Sequence, residues 1–386
     1  MSTGTRTVTA SARPGTAGLS AGATALAVFA VVRGGGVLLI ALGAWWAGKD
    51  PVAVLGTSWD SGWYIAITEH GYGRSLAWPA TGSVQSDLAF FPLYPSLMRL
   101  TCVLLPVGAA GAGLLVAWSA AAAAAVGVYR VGERVAGKRA GVLLVALWGV
   151  QPHAVVFTTG YTESLLAALA AWSLYALLRE RWLWAAGLAI LAGLTRPTGI
   201  AVAAAVSVTA LYALVARGEH RRAEVWAAGL LAPAGWAAYL LAVGWRRRDP
   251  LGGYFAVQDA WGSRFDFGAG AVRAASRVLT GQGSPNSAMT LAVLALAVGL
   301  AVLLALDRAP LPLLVYTAVL LVITLGGAGF FDSKPRFLLP AFPLLLPLAA
   351  AMARARPRTA VVATGALAGL SYLYGTYLML ISHVPL

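Results

Sequence analysis

From about residue 23 to the C-terminus, the sequence is a succession of apolar stretches separated by short polar connectors. A helix needs roughly 20 apolar residues to cross the hydrocarbon layer of a bilayer, and the stretches recur at about that length. Lipid offers backbone groups no water to bond with, so a chain of this kind satisfies them internally, as helices. Composition agrees: of 386 residues, 59% are hydrophobic and 11% charged, too apolar a balance for a water-soluble globule. The expectation is an all-α polytopic membrane protein with one transmembrane domain over 23–386. Residues 1–22 are rich in Ser, Thr, Gly and Ala and lack an apolar core, so they are expected to form a disordered cytoplasmic tail. The stretch 23–48 is too long for a cleaved signal peptide and is expected to stay as an anchor.

Basic residues settle the expected topology. Apolar segments fall at about 23–48, 88–107, 109–129, 140–158, 161–178, 182–195, 198–216, 225–245, 288–306, 310–328, 336–353 and 359–381. If all of them cross, the connector with Arg130, Arg134, Lys138 and Arg139 faces outward, against the bias of short basic loops for the cytoplasm. Segment 88–107 is interrupted by Pro92, Pro95 and Pro106 and carries Arg99. Taken as a surface or re-entrant segment, it restores every short basic loop to the inside: Arg130–Arg139, Arg179 with Arg181, Arg217 with Arg221 and Arg222, Arg308, and Arg354 with Arg356 and Arg358. About eleven spans result, with outer loops at 49–87 and 246–286. One exception stands: Arg246-Arg247-Arg248 heads the second outer loop.

The net charge of +14 does not point to nucleic acid, because the cations are dispersed among connectors; they fit topology signals and attraction to membrane lipids. One cysteine and four scattered histidines provide neither an internal disulfide nor a metal-ligand cluster. There is no Gly-x-x-x-x-Gly-Lys phosphate loop, and no Asp-x-Asp pair near Asp60. No metal or other cofactor is expected.

Polar residues that fall in the outward connectors form a short list. Asp60 lies in Trp59-Asp60-Ser61-Gly62-Trp63-Tyr64, where two readings are open: a general base at a water-accessible surface, or a polar cap on an interfacial helix. Trp59, Trp63, Tyr64 and Tyr72 suit an interfacial aromatic belt as well as sugar stacking, and Tyr161 is a further candidate for substrate binding. Glu163 and Arg196 sit at the ends of apolar helices, where an ionised group costs roughly 3 kcal/mol on insertion scales. Arg196, Lys334 and Arg336 are placed to bind a phosphate or to snorkel toward headgroups.

The ordered set Trp59-Asp60, Ala89-Phe90-Phe91-Pro92-Leu93-Tyr94-Pro95, Gln151-Pro152-His153, Tyr161-Thr162-Glu163-Ser164, Thr195-Arg196-Pro197-Thr198-Gly199 and Pro335-Arg336-Phe337 resembles the GPI mannosyltransferase II (PIG-V-like) family of the GT-C superfamily. The resemblance covers about residues 55–340. It implies a GT-C-type bundle whose first outer loop carries the catalytic acid, here Asp60. It also implies transfer of mannose, with inversion, from a polyprenyl- or dolichyl-phosphate carrier to a glycan or glycolipid hydroxyl on the non-cytoplasmic side; the membrane expected is the plasma membrane, and no metal is expected to be needed. Glu163 and Arg196 match further family positions. Two departures, Arg196-Pro197-Thr198-Gly199 for Arg-Ser-Asn-Gly and Gln151-Pro152-His153 for Asn-Pro-Ala, bear on the acceptor more than on the chemistry. The rival from another class is a transporter or flippase of lipid-linked sugars. It predicts polar residues continuing to the inner face and two similar halves, neither of which the sequence offers.

Overall fold

The computed structural model describes residues 16–78 and 82–382, with side chains from residue 22 onward save that of Trp78. The expected tail therefore lies outside the described residues over 1–15, whereas residues 16–22 already belong to the first helix.

The chain begins with α1 (Thr16–Trp46), the short α2 (Pro51–Gly56) and α3 (Asp60–His70). A two-stranded antiparallel hairpin follows, β1 (Ser75–Trp78) with β2 (Ser83–Ser86), paired from Ser75↔Ser86 to Trp78↔Ser83. Next come α4 (Leu93–Leu104), α5 (Ala109–Ala136), α6 (Lys138–Gly149), α7 (Glu163–Leu178), α8 (Trp182–Gly193) and α9 (Ile200–Ala216). The second half holds α10 (Ala223–Leu231), α11 (Ala234–Arg246), α12 (Gly253–Ala260), α13 (Ala269–Leu279), α14 (Pro285–Leu306), α15 (Leu311–Gly326), α16 (Lys334–Leu338), α17 (Leu346–Arg354) and α18 (Pro357–Leu380).

Among the described residues, six helical stretches are long and apolar enough to cross a membrane: Gly22–Trp46, Ala109–Ala136, Pro197–Ala216, Ala223–Arg246, Pro285–Leu306 and Pro357–Leu380. A seventh candidate is the pair Phe331–Leu338 and Phe342–Arg354, bent by 77°. The other expected spans are shorter helices. Segment 140–158, for example, divides into α6 and a 3-10 turn at Ala154–Thr158. Such interrupted backbone is tolerated where protein covers it, and Ala154, Val155, Val156 and Phe157 are all buried.

The proline-broken segment 88–107 yields α4, whose twelve residues rise ~18 Å, well short of the hydrocarbon thickness. Tyr94, Pro95 and Met98 are buried on one face, while Leu100, Val103 and Leu104 are exposed. Tyr94 donates to the carbonyl of Gly113 at 2.8 Å, which fastens this helix to α5.

The alanine-rich runs pack α5 on α7, with Ala120, Ala121, Ala124 and Ala125 in one buried cluster with Ala167, Ala168, Ala170 and Ala171. Small residues let backbones approach closely in the absence of a hydrophobic drive between helices. At Gly132 an added Cβ would lie 2.8 Å from the Cα of Gly141, so the α5–α6 crossing requires glycine there.

Ion pairs mark the two ends of the bundle. α7 and α9 both begin near Glu163 and Arg196 and finish at Glu180 and Arg217, which pair at 3.4 Å. α6 starts at Lys138 and leads to Tyr161, while α16 and α17 lead from Arg336 to Arg354. Arg139 donates to the carbonyl of Ala355 at 2.7 Å. The short basic loops thus share the end opposite the acids and arginines described next.

Candidate active site

Asp60 is the first residue of α3, and the residue before it, Trp59, has φ 45° and ψ −111°. A non-glycine residue at positive φ carries strain of order 1–3 kcal/mol, which the surrounding packing must hold. The turn presents Asp60 at a helix N-terminus, where the helix dipole favours a carboxylate. Its Oδ2 accepts from the Arg336 guanidinium at 2.7 Å. Its backbone N–H donates to the Tyr161 hydroxyl at 3.4 Å.

Glu163, first residue of α7, is the hub. Its Oε1 lies 2.5 Å from Arg196 and 3.3 Å from Arg336. Arg196 reaches it because Pro197 ends α8 and leaves Arg196 extended, at φ −169° and ψ 165°, before the 3-10 turn Pro197–Gly199. Arg336 sits on the five-residue α16. Two carboxylates and two guanidiniums therefore form one network with no net charge. Its members differ in access: the side chain of Asp60 is 31% exposed, those of Arg336 and Arg196 9% and 10%, and that of Glu163 2%. Removing an ion from water costs several kcal/mol, so a buried network of this kind calls for a reason beyond stability.

Aromatic rings support the cations. The Arg336 guanidinium lies 5.1 Å from the rings of both Tyr161 and Phe337, and that of Arg196 lies 5.4 Å from Phe337. Phe337 was not among the expected site residues, although it follows Arg336 directly; an aromatic in an apolar segment gives no signal of such a position. Lys334 was expected beside the arginines, but the structure does not bring it there. Its ammonium donates to the carbonyls of Thr324 and Gly327 at the end of α15, where it serves as a helix C-terminal cap.

The tryptophans and tyrosines of the first loop separate into two kinds. Tyr64 is 5% exposed and packs edge-on against Phe90 and Tyr94, so it belongs to the core. Trp63 stacks on Phe90 at 5.7 Å, meets Trp261 edge-on at 5.1 Å and lies under the guanidinium of Arg74 at 5.4 Å. Trp261, from the loop after α12, was also missed by sequence reasoning. Trp59 is partly buried against the core. Beyond α3 the Tyr72 hydroxyl donates to the Phe90 carbonyl at 2.9 Å, and burial pushes its pKa above the ordinary phenol range. Along the outer face of α3 runs a groove of about 490 Å³, lined by Gly62, Ile65, Ala66, Glu69 and Arg74. Among the described residues, no three His, Cys, Asp or Glu side chains converge as metal ligands.

Residues 53–224 match the family model described as Mannosyltransferase (PIG-V). No curated protein matches the chain in sequence. Solved structures with the same fold include ArnT from Cupriavidus metallidurans bound to undecaprenyl phosphate, at 18% identity and a TM-score of 0.52 over 86% of this chain and 63% of that one. They also include the Archaeoglobus fulgidus oligosaccharyltransferase. Tethered with an acceptor peptide, it aligns at 14% identity and a TM-score of 0.53 over 95% of this chain and 55% of that one. In its apo form the TM-score is 0.51 at 14% identity, over 94% and 55%. The chain thus spans under two thirds of the length of these proteins, and at such identities the likeness is one of fold. The protein has several helices able to span a membrane, shares its fold with these two proteins, and matches the mannosyltransferase (PIG-V) model over residues 53–224.

Proposed function

We propose that the protein transfers mannose from a polyprenyl-phosphate carrier to a hydroxyl of a glycan or glycolipid, with inversion, without metal, and on the non-cytoplasmic face of the plasma membrane. The observation that carries this reading is the pairing of Asp60 with Arg336 at 2.7 Å, in which the acid is the accessible member of a buried ionic network. The family match supports a mannosyl group, and the undecaprenyl phosphate bound to the similarly folded ArnT supports a lipid-phosphate donor.

The chemistry follows from the charges. An acceptor hydroxyl attacks the anomeric carbon as Asp60 takes its proton, a new glycosidic C–O bond forms, and the bond from that carbon to the lipid phosphate oxygen breaks. Negative charge leaves the Asp60 carboxylate and grows on the departing phosphate. Arg336, no longer matched by Asp60, is then free to complement that phosphate. Glu163, itself paired with Arg196, holds its guanidinium in place, so this stabilisation is preorganised. The basic connectors at the opposite end of the bundle support the assignment of the site to the outer face.

The test is transfer of radiolabelled mannose from polyprenyl-phosphate mannose by purified protein in lipid vesicles. Wild type is expected to label the acceptor and Asp60→Asn is not; a folded Asp60→Asn protein with normal transfer would sink the assignment.

A further inference from the structure

Arg246, Arg247 and Arg248 depart from the pattern of the other basic loops, and the structure places them at the Asp60 end of the bundle. Tyr239, on the same helix, donates to the carbonyls of Leu88 and Phe90 at 3.0 and 2.6 Å, and Phe90 stacks on Trp63. Arg246 and Arg247 line a cavity of about 350 Å³ beside the hairpin, together with Gly73, Ser75, Ser86 and Asp87. Among the described residues neither arginine has a carboxylate partner. Asp87 is buried and committed, its Oδ2 accepting the backbone N–H groups of Gly73 and Arg74 at 2.8 and 2.7 Å. A cation at a helix C-terminus interacts favourably with the dipole, by about 0.3–1 kcal/mol, which accounts for one arginine, whereas this cavity carries two against the single carboxylate of Asp87. The guanidinium fork matches a phosphate.

Gly73 lines both this cavity and the groove along α3. Gly62, Ile65, Ala66 and Glu69, spaced by three and four, form one face of that helix, so the groove runs from beside Asp60 to the turn after His70. Eleven residues rise ~16 Å over that course. A donor phosphate is bonded to the carbon under attack and belongs at the Asp60 end. An anion at the other end therefore belongs to the other substrate.

We propose that Arg246 and Arg247 hold the phosphate of a lipid-anchored acceptor whose glycan lies along the α3 groove and presents its hydroxyl to Asp60. This rests on the transfer reading above. Two synthetic acceptors test it in vesicles with polyprenyl-phosphate mannose as donor: an alkyl oligomannoside, and the same glycan joined to its alkyl chain through a phosphodiester. Wild type is expected to show a KM lower by about tenfold or more for the phosphodiester, as charge-assisted pairing implies. The double variant R246Q/R247Q loses that preference, with kcat and the donor KM unchanged. R248Q, outside the cavity lining, behaves as wild type. Equal KM values in wild type, or a preference kept by the double variant, overturn the proposal.

Binding of a fluorescent phosphodiester glycan to the detergent-solubilised protein reads the site without turnover. Loss of binding in the double variant supports it and unchanged binding overturns it. Displacement by phosphatidylglycerol as effective as by the glycan itself would mean a site for bulk anionic lipid and overturn the acceptor assignment. Arginine-dependent binding with no transfer to either acceptor counts against the transferase reading rather than against the anion site.

Discussion

At one end of the bundle Glu180 meets Arg217 at 3.4 Å and Arg222 at 3.7 Å, with the Glu180 and Arg217 side chains 55% and 53% exposed. At the other, Glu163 meets Arg196 at 2.5 Å and Arg336 at 3.3 Å, with its own side chain 2% exposed. The residue types are the same, but the physics differs. Exposed pairs gain little, because water screens them and long side chains lose freedom in forming them. Buried pairs bear a desolvation cost that apolar side chains would avoid, so their retention speaks for chemistry rather than stability. The exposed end fits the expected orientation of the chain in a membrane, and the buried end is where the proposed chemistry is assigned.

The sharpest way to break this contrast is Asp60→Asn. Loss of the base is expected to lower kcat by roughly 10²–10⁴-fold while thermal unfolding changes little; equal losses in both would make Asp60 a structural residue. Next in size, Glu163→Ala leaves two guanidiniums buried without their shared partner, and unfolding scans should register a loss of about 3–5 kcal/mol. An unchanged melting temperature would show the network to be wetter than its burial implies. Lys334→Met removes a cap from buried carbonyls, which should cost about 1–3 kcal/mol with the donor KM unaltered. A raised donor KM would return Lys334 to the phosphate site. Smallest of all, Glu180→Gln is expected to leave both melting temperature and transfer rate at wild-type values.

Much of this was legible in the sequence, and its limits have physical causes. Arginine placement separates the two ends because the bias of short loops is a property of the connectors themselves. Prolines at 92, 95 and 106 mark segment 88–107 as interrupted because they act on local backbone, and of it only the twelve residues of α4 form a regular helix. Asp60, Glu163, Arg196 and Arg336 stand out as charges in an apolar chain, and the structure brings all four together. Which cation joins the acids is decided by three-dimensional contact alone. Lys334 lies two residues from Arg336, yet it points to the end of α15. The roles of Phe337 and Trp261 depend on partners 141 and 198 residues away, at Arg196 and Trp63, and no local pattern encodes such pairings.

The cancellation of charge among Asp60, Glu163, Arg196 and Arg336 has a kinetic consequence. A neutral quartet casts almost no field beyond its immediate neighbours, so it does not draw a charged substrate from a distance. On the proposed reading, long-range attraction falls to Arg246 and Arg247 at the rim, and transfer takes place where ionic strength has little purchase. Added salt should therefore slow capture of an anionic substrate and leave the rate of the bound complex nearly constant, separating encounter from reaction in a single titration.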